Sequence, residues 1–124
     1  MRENSFLAYG RHVLVDISGA TSEVLNDLDA LEQSLMQASL TEGVTVLGSI
    51  KHAFCPSGVT VLLLLAESHV SLHTYPEQGK AFFDAFTCGT EFEPFNIFRR
   101  FAETSSFKTY RIIRCDRGST VGHF

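Results

Sequence analysis

The eight residues "VTVLLLLA" at positions 59–66 constrain the fold of this chain more than any other stretch. They carry no charge, are β-branched or leucine almost throughout, and are too few for a buried helix. With "CPSG" before them and "ES" after, they read as a strand buried on both faces and entered through a Pro-Gly turn. Such a strand needs pairing partners along its edges and a covering layer, and the rest of the chain must supply both.

Residues 11–17, 44–54, 69–74, 80–87 and 107–114 have the alternation or β-branched content of further strands. Between the first two lies an amphipathic helix. It is capped by Thr21 or Ser22, repeats apolar residues at Val24, Leu28, Leu31, Leu35 and Ala38, and ends at Gly43. Glu93-Pro94 opens a second helix with Phe95, Phe98, Phe101 and Ala102 on one face. The order β-α-β-β-β-β-α-β with hairpin-length connections predicts an α+β fold. We expect a two-layer α/β sandwich, its sheet largely antiparallel with both helices on one face. Residues 116–124 read as a loose tail.

A length of 124 residues, 44% of them hydrophobic and eleven of them Phe, fits one domain over residues 1–124. The net charge of −4 and the lack of any Lys/Arg run argue against nucleic acid or anionic membrane as partners. A cationic small molecule matches the charge better. The N-terminus has no apolar signal region and no apolar run is long enough to span a bilayer, so a cytoplasmic protein is expected. Cys55, Cys88 and Cys115 are an odd, widely spaced set, which indicates neither a disulfide framework nor a zinc knuckle.

After Ser68, period-two alternation places His69, Ser71 and His73 on one face and Val70, Leu72 and Thr74 on the other. Two histidines on a strand invite a metal, but no carboxylate or cysteine nearby in sequence completes a ligand spacing, so no metal is expected. A serine hydrolase would need a G-x-S-x-G elbow, which is absent. From spacing alone, Glu67, Ser68 and His73 read as an ordinary polar hairpin.

Two longer segments in register change that reading. "ESHVSLHTYPEQGKAFFDAFTCG", residues 67–89, resembles the small prokaryotic S-adenosylmethionine decarboxylases. Their signature is E-S-H-x-[ST]-x-H-T-[aromatic]-P-E followed by D-x-F-T-C-G. "GRHVLVDI", "FCPSGVT" and "EPFNIFRRF" stand where that family has counterparts, so the resemblance covers nearly the whole chain.

The resemblance implies a proenzyme that cuts itself between Glu67 and Ser68, giving chains 1–67 and 68–124. Ser68 would become a covalent pyruvoyl group, the only cofactor, which works through Schiff-base chemistry as an electron sink for decarboxylation. The product would be the aminopropyl donor for spermidine synthesis. By the same resemblance, His73 assists self-processing and Cys88 is the general acid that reprotonates the α-carbon. Phe54 stacks on adenine and Glu77 holds the ribose hydroxyls. Thr60 stands where a processing-related Ser is usual, Tyr75 where Trp is common, and both are counted with the substrate-binding residues. Lys80 stands where Tyr is common and adds a cation near a site for a cationic substrate. Ornithine or arginine as substrate, and a non-catalytic regulatory subunit of the same fold, remain as alternatives. A homodimer of cleaved two-chain protomers is expected.

Overall fold

Six strands form one antiparallel sheet in the order β2-β3-β4-β5-β1-β6 in the computed structural model, which describes residues 8–118. The strands are β1 (Tyr9–Ser18), β2 (Val46–Ala53), β3 (Val59–Leu65), β4 (Ser68–Tyr75), β5 (Lys80–Cys88) and β6 (Thr109–Gly118). Three α-helices, α1 (Ser22–Leu25), α2 (Leu28–Thr41) and α3 (Pro94–Ser105), complete the fold. Alternation sends Val13, Val15, Ile17, Val61, Leu63, Val70, Leu72, Phe83 and Ala85 to one side of the sheet. There they are buried against Leu31 and Leu35 of α2 and Ile97, Phe98 and Phe101 of α3. Phe98 sits 5.1 Å from Phe83 and 6.5 Å from Phe101, centroid to centroid, so α3 is fixed by a cluster of aromatic rings. The expected two-layer sandwich is the observed one. No helix of the described residues is long and apolar enough to cross a membrane.

Three expectations are corrected. The single helix over residues 22–42 is two helices, because Asn26 and Asp27 interrupt it and Asp27 starts a new one by accepting a hydrogen bond from Ala30 N–H at 3.2 Å. The apolar strand is buried on one face only: Val61, Leu63 and Leu65 face the helices, while Leu62 and Leu64 on the other side are 41% and 59% exposed. The tail begins later than expected, since Asp116, Arg117 and Gly118 belong to β6, which pairs with β1 along its full length. Charged residues are tolerated there because β6 is an edge strand. Residues 119–124 of the expected tail lie outside the described residues.

Candidate active site

The hairpin between β3 and β4 is as short as a ladder permits, with Leu65 facing Ser68 and only Ala66 and Glu67 between them. Glu67 has φ +60°, the left-handed conformation that a turn normally assigns to glycine at its second central position. Holding an L-residue there costs about 1–2 kcal/mol. Ser68 follows directly, and its Oγ accepts a hydrogen bond from Cys88 N–H at 3.1 Å. The end of β5 is itself pinned, since Gly89 N–H donates to the Tyr9 carbonyl at 2.7 Å. A cavity of about 430 Å³ opens here, lined by Glu67, Ser68 and Cys88 together with Glu91, Phe92 and residues 43–45. Glu67, Ser68 and Cys88 thus meet at one end of the sheet.

Phe54, Thr60, His73, Tyr75 and Glu77 meet at the other end, around a cavity of about 540 Å³. Thr60 faces His73 across β3 and β4, and Thr60 Oγ1 and His73 Nδ1 share a hydrogen bond at 3.0 Å. Ser57 donates to the Glu77 carboxylate, tying the turn before β3 to the 3-10 turn Pro76–Gln78. Phe54 is half exposed at the rim. Lys80 faces Tyr75 in the β4–β5 ladder but does not line this cavity.

Two residues that build this end were not singled out by sequence. Thr74 is buried, accepts from Val59 N–H at 2.8 Å and donates to the Leu25 carbonyl at 2.8 Å, which locks β3 and β4 to the end of α1. Asn26 Oδ1 accepts from Gly58 N–H at 2.9 Å. The break between α1 and α2 therefore holds the turn before β3 in place.

The two ends are not close. Ser68 and His73 are five residues apart on β4, roughly 16 Å along an extended strand. They also differ in facing, for Ser68 shares the parity of Val70 and Leu72, whereas His73 lies on the uncovered side.

Between the two ends, on the uncovered face, Asp84 gathers three side chains. Its Oδ2 accepts from His12 Nε2 at 2.6 Å and from His69 Nε2 at 2.8 Å, and its other oxygen accepts from Ser71. Burial pushes the Asp84 carboxyl up, but the hydrogen bonds from His69, Ser71 and His12 outweigh it and hold the group well below the usual carboxylate range. The same bond to Asp84 raises the His69 pKa, against smaller opposing effects of burial and of Arg117. With Asp84 ionised, both imidazoles present an N–H to it. His12 and Asp84 belong to quoted segments, "GRHVLVDI" and "FFDAFTCG", yet 72 positions separate them, so only the β1–β5 pairing shows that they meet.

Comparison with known proteins places this geometry in context. A family model described as S-adenosylmethionine decarboxylase matches residues 11–118. An S-adenosylmethionine decarboxylase proenzyme 2 of Bacillus cereus is 47% identical over 89 residues, covering 72% of this chain and 72% of that protein. An S-adenosylmethionine decarboxylase proenzyme of Thermotoga petrophila is 34% identical over 109 residues, covering 88% and 84%. Among solved structures, the adenosylmethionine decarboxylase from Aquifex aeolicus superposes with a TM-score of 0.82 at 27% identity, covering 92% of this chain and 94% of that one.

Proposed function

The chain belongs to the S-adenosylmethionine decarboxylase family, and on that premise we propose that it is a cytoplasmic proenzyme that cleaves itself between Glu67 and Ser68 and then decarboxylates S-adenosylmethionine. The junction itself carries the reading. A strained residue supplies the carbonyl, the hydroxyl that must attack it is the next side chain, and Cys88 N–H fixes the position of that hydroxyl oxygen.

Attack by Ser68 Oγ on the Glu67 carbonyl replaces the amide C–N bond by an ester and frees the nitrogen of residue 68 as an amine. Removal of the Ser68 α-proton then expels the Glu67 carboxylate, leaving a dehydroalanine. Its tautomer is hydrolysed by water, which releases ammonia and leaves a ketone, so that chains 1–67 and 68–124 result. Strain at Glu67 favours the first step because the planar amide that holds the turn is lost in it.

A pyruvoyl group at position 68 supplies an electron sink for the departing carboxylate's electron pair. The residues around it divide the remaining work. Cys88, adjacent to Ser68, returns a proton to the α-carbon. Glu77 binds the ribose hydroxyls as a carboxylate acceptor, and Phe54 offers its ring to adenine, with Tyr75 at the same cavity. Aromatic faces also attract the sulfonium, by about 0.5–2 kcal/mol. Thr60 holds the imidazole of His73, which moves the proton during elimination. The product serves as an aminopropyl donor for spermidine synthesis.

The roughly 16 Å between Ser68 and His73 in one chain supports a site that a second copy completes. The uncovered sheet face suits that copy, since Leu14, Ile50, Leu62, Leu64, Phe82 and Ile113 lie exposed on it. A two-fold axis near the middle of β4 sets the Ser68 end of one chain over the His73 end of the other, and loss of the 67–68 amide lets residue 68, the first of β4, turn toward the shared face, giving a homodimer with two composite sites.

Denaturing mass spectrometry of the purified protein tests the reading. The expected result is two chains, 1–67 and 68–124, the second with a pyruvoyl N-terminus, and carbon dioxide release from S-adenosylmethionine but not from ornithine or arginine. A single intact chain after prolonged incubation sinks it.

A further inference from the structure

We propose that His12, His69 and Asp84 form a binding site for a divalent transition-metal ion of the zinc type, which staples together the two chains that cleavage produces. Among the described residues this is the one group of three metal-ligating side chains brought together, with ligand atoms all within 4.8 Å of one another. The three come from adjacent strands and one face: β1, β5 and β4. His12 and His69 both face Phe86 in the ladder, one from each side, with ring centroids 5.6 and 6.2 Å from it. The two imidazoles also meet edge to face, with centroids 5.8 Å apart, and both reach Asp84, two residues back along β5.

Two imidazoles and a carboxylate on neighbouring strands are the donor set of open zinc sites. The present spacing of 2.6 and 2.8 Å from Asp84 Oδ2 to the two Nε2 atoms reflects protons in the gaps. Ligand atoms around tetrahedral zinc lie about 3.3 Å apart, from bond lengths of about 2.0–2.1 Å, so loading needs an opening of only about half an ångström. Each neutral imidazole then carries its proton on Nδ1, and a cationic one releases a proton to solvent; nothing is oxidised or reduced. Ser71, bonded to the other Asp84 oxygen, keeps the carboxylate oriented, as outer partners of metal ligands do. The His69 side chain is 45% exposed in the single chain and gives access before a second copy covers this face. Arg117, whose guanidinium lies 5.3 Å from the centre of the Phe86 ring, opposes the ion.

Binding does not depend on cleavage. The staple rests on the reading above, because His12 lies in chain 1–67 while His69 and Asp84 lie in chain 68–124. His69 is also the first residue after the new N-terminus, so an ion there would fix the strand that presents the ketone.

Untagged full-length protein is titrated with cobalt(II), read by its visible absorption bands, and then with zinc(II) as competitor. Processed wild type and uncleaved Ser68→Ala are both used. One cobalt per chain is expected, with affinity lower by more than about tenfold in His12→Ala and in His69→Ala, and higher in Arg117→Ala. Zinc should raise the Tm of processed wild type more than that of Ser68→Ala, and not that of His69→Gln. Absence of the bands, or bands that survive His12→Ala and His69→Ala unchanged, overturns the site. Equal Tm gains in cleaved and uncleaved protein overturn the staple and leave binding intact. Failure of the protein to cleave at all removes the processed arm alone, and the cobalt titration of the intact chain still decides the site.

Discussion

Glu67 is one of two non-glycine residues with positive φ among the described residues, and the other, Ser106, merely ends α3. A glycine at 67 would satisfy the turn at less backbone cost, so the glutamate stores strain beside the bond proposed to break. Glu67→Gly should therefore slow self-processing by about fivefold for each 1 kcal/mol of strain removed, and stabilise the uncleaved precursor in urea melts made in the Ser68→Ala background. Glu67→Gln keeps the strain and serves as the control for the lost carboxylate. An unchanged cleavage time course in Glu67→Gly would remove strain from the mechanism. Glu67, Ser68, His73 and Cys88 could be proposed from the sequence because a motif brackets them. The strain was not, since φ is a property of the two-residue connection and depends on where β3 stops.

The elements show where periodic patterns suffice and where they fail. Apolar spacing of three and four runs unbroken through Val24, Leu28 and Leu31, so it cannot register a break at Asn26-Asp27; the signal available was two residues that favour caps over helix interiors. The break matters for the candidate site, because Asn26 reaches Gly58 from it. Asn26→Ala leaves that part-buried N–H unpaired at a cost of about 1 kcal/mol and lets the turn that carries Ser57, the partner of Glu77, drift. A KM for S-adenosylmethionine raised by about fivefold, with kcat nearly unchanged, is expected from a loss of that size. Steady-state kinetics on the processed variant check it, and a drop in kcat at constant KM would place Asn26 elsewhere in the mechanism. Apolar runs mislead in a related way. The run at 59–66 looked buried on both sides because leucine is apolar wherever it points, and only the placement of both long helices on one face leaves Leu62 and Leu64 uncovered.

At the scale of the whole molecule, that uncovered face and the separation of the two cavities both support the proposed homodimer. In one chain Ser68 and Cys88 sit near one end of β4, while His73 and the cavity lined by Phe54 and Glu77 sit at the other. In the proposed homodimer, pairing across the uncovered face would let each chain lend its cavity to the other's Ser68, with the exposed leucines, isoleucines and Phe82 removed from water. Complementation separates this from a site built within one chain. Ser68→Ala and His73→Ala are each expected to be inactive alone. Co-expressed in equal amounts, half of the dimers are mixed and each mixed dimer holds one intact site, so about a quarter of wild-type activity should return. Mass spectrometry should show cleavage of the His73→Ala chain in the mixture and not by itself. If the mixture stays as inactive as its parts while size-exclusion chromatography shows that mixed dimers form, then Ser68 and His73 act within one chain. The roughly 16 Å between them would then have to close by a rearrangement of β4.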